Sequence, residues 1–152
     1  MGRIKKYDVG DVFEMVTDEI GNKTYCRILK KDDDIIFIEM YKLKPSLESV
    51  TLEKLVSLEP VLKIWAFNAG IKEKTWAKVG NIPIVGEVIM PKFWEYSPIT
   101  GDLVLVNETP TKIERTPIEE KDLGDAQPFG IFREGAVIIR YIKTLKKIGL
   151  ID

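Results

Sequence analysis

From Asp11 onward apolar residues recur at every second position, interrupted by short polar turns, and no other feature limits the fold as sharply. Residues 11–17 place Phe13, Met15 and Thr17 on one face and Val12, Glu14 and Val16 on the other, the two-residue period of a strand. A turn at 18–23 contains Ile20-Gly21-Asn22, and residues 24–31 then set Tyr25, Arg27 and Leu29 against Cys26, Ile28 and Lys30. The acidic turn Asp32-Asp33-Asp34 leads into 35–43, which is rich in β-branched and aromatic residues. Three strands joined by such short turns predict an antiparallel meander. Further strands are expected at 61–68, 75–79, 93–96 and 102–107, the last two flanking the Pro98- and Gly101-bearing loop 97–101, with a short edge strand at 112–116. A loop is expected around Ala69-Gly70, and 80–86 reads as a turn-rich crossing because Pro83 donates no ladder hydrogen bond.

Two segments change the period. Residues 51–58 read as a short middle helix with Thr51 as N-cap and Leu52, Leu55 and Val56 inward, and the same letters also suit a strand. At the end, Ile138, Tyr141, Ile142, Leu145 and Ile148 form a helical stripe. Lys146 and Lys147 stand in its last turn, and Gly149 follows as the C′ residue. The rival there is a strand over 136–142, since Val137, Ile138 and Ile139 are β-branched. The expected architecture is α+β, mainly antiparallel sheet with a short middle helix and a C-terminal helix. With 152 residues and no linker composition, it reads as one domain, 1–152.

Missing residues narrow the chemistry. There is no histidine, which removes His-based acid–base catalysis and His metal ligation. One cysteine, Cys26, allows no internal disulfide, no Cys-rich zinc site and no CxxC pair, and without a histidine base it reads as a small buried hydrophobe. Gly80, Gly86 and Gly101 fit neither a phosphate loop nor a dinucleotide fingerprint, so no cofactor is expected. The net charge of −1 argues against a dedicated nucleic-acid binder. The basic opening 1–6 is not followed by a signal-type apolar stretch, and no window has the apolar length of a membrane span. A cytoplasmic protein is the expectation.

Four groups of residues are candidates for a site. Asp32, Asp33 and Asp34 invite a metal, but neighbours on a tight turn diverge and no EF-hand spacing follows, so no metal site is expected. Residues 107–125 hold six acids against three bases, Glu119-Glu120 among them, in a polar, proline-flanked segment that offers little desolvation for carboxylate catalysis. Trp94 and Tyr96 lie beside Glu95, which does not suit a base-stacking platform and does suit a protein interface. Of Trp65, Trp76, Trp94, Phe67, Phe93 and Tyr96, most are expected in the core.

Several short motifs together resemble the immunity protein 26 family of bacterial polymorphic toxin systems: Gly10-Asp-Val-Phe-Glu-Met, then Ile20-Gly21, then Tyr25-Cys-Arg-Ile-Leu. Trp76-Ala-Lys-Val-Gly80 followed by Ile82-Pro83-Ile84, and a terminal apolar–basic stretch with Gly135-Ala-Val, extend the likeness, while residues 42–58 depart from it. The resemblance implies a non-catalytic protein that neutralises a cognate toxin by tight binding, and it carries over no catalytic or ligand residue. Charge then selects Asp32, Asp33, Asp34, Glu119 and Glu120, and aromatic exposure selects Trp94 and Tyr96, as partner-binding residues. The alternatives are a small β-rich nucleic-acid-binding module built on Lys92 and Trp94, and a carboxylate-based enzyme acting on a small molecule.

Overall fold

The computed structural model describes residues 7–152, so the basic opening 1–6 lies outside the described residues. The meander forms as β1 (Asp11–Val16), β2 (Lys23–Asp32) and β3 (Ile35–Tyr41), followed by α1 (Leu52–Val56) and β4 (Pro60–Phe67). Next come α2 (Ala69–Lys72), β5 (Ala77–Asn81), β6 (Phe93–Tyr96), β7 (Leu103–Glu108) and β8 (Ile113–Pro117). A 3₁₀ turn at Glu120–Asp122, β9 (Gln127–Pro128), β10 (Ile131–Phe132) and α3 (Glu134–Lys147) complete the described chain. The architecture is α+β and mainly antiparallel, as the alternation and the terminal stripe predict, and its strands form two sheets.

The chain divides into two compact units, one running to Val88 and resuming at Ile131–Asp152, the other Ile89–Gly130. The first crossing follows the turn-rich stretch 80–86 and precedes Pro91, and the second falls at Gly130, but neither is a long polar linker. The first unit holds a six-stranded sheet ordered β10-β4-β3-β2-β1-β5, in which only the β10–β4 pairing is parallel. The β2–β3 hairpin closes on Asp33-Asp34, where Asp33 adopts the left-handed conformation (φ 50°) that a short polar side chain tolerates.

Both faces of this sheet are covered. On one face Phe13, Met15, Cys26, Ile28, Ile36, Ile38, Met40, Leu62 and Ile64 pack with Val137, Tyr141 and Leu145 of α3. The helix is preferred over a strand because its 3.6-residue period stacks those three side chains on one face. The Tyr141 hydroxyl also lies 2.9 Å from the Tyr41 carbonyl and bonds that of Leu43. Burial, opposed by bonds from Thr24 and Leu43, pushes its pKa up to about 12. The buried face is rotated from the expected stripe: Val137 is central and Ile148 is 44% exposed, because Ile148 is already the C-cap. Gly149 takes the left-handed C′ conformation (φ 77°) as expected.

On the other face Val12, Tyr25, Tyr41 and Leu55 form a second core with Leu43, Val50, Leu52, Leu58 and Ile82 around it. Thr51 caps α1 by accepting from the Lys54 amide at 3.2 Å. Val56, expected inward, is 65% exposed: a helix of five residues turns only Leu55 fully into the core. The expected loop at Ala69-Gly70 is the helix α2, tightened because Gly70 packs directly on Trp76, where a Cβ would approach the indole to 2.5 Å.

The edge strand β5 is fastened by Asp11. That carboxylate, 2% exposed, accepts from Asn81 Nδ2 at 2.9 Å and the Asp8 amide at 2.8 Å, and pairs with Lys78 at 3.2 Å. Burial alone would raise its pKa, yet the bonds from Asn81, Asp8 and Lys78 outweigh it and hold the group below the usual aspartate value. A depressed folded-state pKa contributes stability that is present above the unfolded-state value and lost as pH falls through the folded one. Asp11→Asn is therefore expected to lower stability near pH 7 by about 1–3 kcal/mol, with the difference from wild type shrinking in denaturant melts as pH falls below the usual aspartate range. Leu145→Ala should cost about 2–5 kcal/mol, read as a drop in the urea midpoint at unchanged slope.

Candidate partner-binding surface

The second unit, Ile89–Gly130, contains eight acids and four bases, a net −4 that the whole-chain value of −1 conceals. Its sheet is ordered β8-β7-β6-β9, antiparallel except for the two-residue β6–β9 pairing. Strand alternation fixes two faces. Phe93, Val104 and Val106 are buried on one, where Phe93 meets Phe129 edge-on at 6.0 Å. On that same face Arg115 Nε donates to Glu95 Oε2 at 2.6 Å, which binds β8 to β6 across β7. Glu95, read from sequence as a disruption of the aromatic cluster, thus points away from Trp94 and Tyr96.

The other face presents Trp94 and Tyr96, whose rings stand edge-to-face at 5.9 Å and 79°. Register sets Leu105 opposite Trp94 and Leu103 opposite Tyr96, with Thr116 beyond Leu105 and Pro128 on the other side of Trp94. Trp94, Leu103 and Leu105 are half-buried and Tyr96 is 63% exposed, so this face carries an apolar strip with an aromatic rim. Glu114 lies on the same face two residues from Thr116, paired with Lys112 at 2.9 Å. Leu103 and Leu105 are absent from the sequence-based site. Their alternation is visible in the letters, but the face they share with Trp94 is set by hairpin register.

Glu119 and Glu120 stand at the start of the 3₁₀ turn, both exposed, with Glu119 paired to Lys121 at 3.2 Å. Asp32, Asp33 and Asp34 occupy the β2–β3 hairpin tip of the first unit and are all exposed. The predicted site residues therefore fall into two groups, one in each unit. Asp34 bonds Lys72 at 2.9 Å, and this hydrogen bond raises the lysine pKa. Both partners face solvent, which screens the pair.

Asp34 and Lys72 border an open cleft of about 540 Å³ lined also by Phe67, Asn68, Glu73 and Arg133. Its charges alternate in sign, and Glu134 at its edge is engaged by the Thr75 hydroxyl. Among the described residues no group of three acids or cysteines is gathered to hold a metal ion, and no helix is long and apolar enough to cross a membrane. No protein-family model, curated protein or solved structure matches the chain.

Cys26 lies wholly within the first core, and burial pushes its thiol up to about 12 against a bond from the Phe13 backbone. The thiolate is the reactive form, so the native protein is expected to resist a thiol-specific reagent at about pH 8 and to react fully once unfolded. Stoichiometric labelling of the native protein within minutes would contradict this.

Proposed function

We propose that this chain is a non-catalytic immunity-type protein that binds and neutralises a cognate bacterial toxin domain, using the Trp94–Tyr96 face as its anchor. The observation that carries the reading is two neighbouring aromatics, one of them 63% exposed, on one sheet face of a unit with net charge −4. Aromatic anchors in a desolvated centre supply most of the energy of a protein interface, while surrounding charge accelerates encounter. An acidic surround selects a basic partner surface, the kind a nuclease domain presents to its substrate. The first-unit acids Asp32, Asp33 and Asp34 add exposed negative charge and belong to the same reading as long-range steering groups. Cytoplasmic residence, and action within the cell that makes the toxin, are part of the proposal.

The test uses the toxin domain encoded beside this chain's gene, produced in cells with and without the chain. Wild type is expected to restore growth and to bind the purified domain. Trp94→Ala should weaken binding by at least about thirtyfold, the ~2 kcal/mol of an interface anchor. Glu119→Lys with Glu120→Lys should instead slow association and flatten its salt dependence, leaving the dissociation rate nearly unchanged. Failure of the wild-type chain to protect, or wild-type affinity in Trp94→Ala, overturns the proposal. Retention of the wild-type protein on single-stranded DNA at moderate salt would favour the nucleic-acid module instead.

A further inference from the structure

The β6–β7 hairpin of the second unit turns through the loop 97–101, and at its tip Ile99 is 93% exposed. The loop is fastened on both sides of that residue. The Ser97 amide donates to the Asp102 carbonyl at 2.7 Å, and the Gly101 amide to the Ser97 carbonyl at 2.8 Å. The Ser97 hydroxyl oxygen accepts from the Ile99 and Thr100 amides, each at 3.3 Å. Pro98 fixes its own φ, and Gly101 supplies the left-handed residue (φ 77°) that returns the chain to β7. The turn is therefore closed by its other residues, and the Ile99 side chain adds nothing to it. Tips favour Gly, Asn, Asp or Ser, and a β-branched apolar side chain there gains neither burial nor turn propensity. Single exposed apolar residues are ordinary on a protein surface. One held out on a rigid turn, against local preference and with no return inside the fold, marks a functional position.

The surroundings of the tip specify what receives it. Tyr96 and Leu103 are the last paired residues before the loop, so Ile99 stands just beyond the exposed end of β6. Residues 93–111 contain three acids, Glu95, Asp102 and Glu108, and no base. Glu95 is bound by Arg115, whereas Asp102, exposed at the foot of the loop, pairs with no cation among the described residues. A convex apolar tip beside a free carboxylate matches a concave apolar pocket with a cationic rim. A nucleic-acid backbone is repelled by Asp102 and gives Ile99 nothing to enter. An anionic bilayer repels the same carboxylate, and one isoleucine buries too little to hold a chain there.

We infer that Ile99 is the plug of the interface: it enters an apolar pocket of the toxin domain whose rim carries Lys or Arg, and Asp102 meets that rim. The inference rests on the reading of this chain as a toxin-binding protein and adds the shape and chemistry of the partner surface. Because the turn is already closed in the free chain, insertion orders no further backbone, and the contact gains affinity from that preorganisation. Burial of the plug governs the dissociation rate, while the free carboxylate beside it acts on the association rate.

Binding of the full chain to the toxin domain encoded beside its gene tests this. Ile99→Ala should dissociate at least about tenfold faster than wild type, Ile99→Val only slightly faster, and Asp102→Asn should associate more slowly at low salt. Ile99 belongs to neither core, so Ile99→Ala should melt at the wild-type temperature. Ile99→Cys gives a readout independent of affinity: Cys26 is buried, so alkylation reports position 99 alone and should slow at least about tenfold in the complex. Wild-type dissociation in Ile99→Ala, or alkylation unslowed in the complex, overturns the inference and leaves the Trp94 anchor standing. Weakened binding in Ile99→Ala with wild-type binding in Trp94→Ala keeps the plug and removes the anchor. Self-association of the chain that Ile99→Ala abolishes would assign the tip to a second copy and overturn the inference, and a wild-type chain that does not bind the domain overturns both readings.

Discussion

The strand β3 is closed to water on both sides, and most of the first unit follows from that. Ile36, Ile38 and Met40 enter one core while Phe37, Glu39 and Tyr41 are buried on the opposite face. A strand with this pattern must be internal in its sheet, and β2 and β4 flank it. Each face then needs its own cover: α3 supplies one, and the segment carrying Leu43, Val50, Leu52 and Leu55 supplies the other. Glu39 is the weak point of this solution, a buried carboxylate only 5% accessible. Arg27 meets it at 3.0 Å and the Tyr41 hydroxyl donates to the same oxygen at 3.0 Å. Arg27 also donates to the Ile82 carbonyl at 3.2 Å, so the group that neutralises the buried acid simultaneously holds the chain leaving β5. A carboxylate so enclosed tolerates the site only with its partners, since loss of one partner of a buried pair costs about 3–5 kcal/mol.

What the letters revealed was the local part of this arrangement. The period-two runs of β1 to β4 and of β6 to β8 are each contained in one segment, and the turns between them carry residues suited to tight reversal, such as Gly21 at φ 100°. The terminal helix was legible because Tyr141 and Leu145 repeat at four residues. Its exact facing was not, because Val137 and Ile138 are adjacent and equally apolar, and only contact with β3 and β4 chooses between them. The parallel pairings β10–β4 and β6–β9 left no trace, for each is two residues long and joins segments far apart in sequence. The helix α2 is four residues long and contains a glycine, so no propensity argument could have named it; Trp76 packing on Gly70 specifies it instead.

The proposed binding surface was half legible by the same logic. Trp94 and Tyr96 are two residues apart, which places them on one face of any strand, and their apolar and polar atoms suit a surface that is sometimes covered. That Glu95 turns to Arg115, and that Leu103 and Leu105 complete the strip, depends on the pairing of three strands. By sequence the acidic residues fall in one turn, 32–34, and one polar segment, 107–125. Their meaning changes once 89–130 is a unit of its own, because charge counted over a compact unit describes a field, whereas charge counted along a segment describes only solubility.

That distinction governs the functional argument. A chain of net charge −1 has little reason to meet any particular partner faster than another, yet a compact unit of −4 presents a basic partner with a sign. Long-range attraction chooses which surface arrives first; the aromatic strip determines how long it stays. The acidic unit and its aromatic strip are built without histidine, so neither has a group that ordinarily titrates near neutral pH. Ionic strength and competing partners are therefore the variables to which such a protein responds, and the salt dependence of its association rate is the property through which its acidic unit becomes visible.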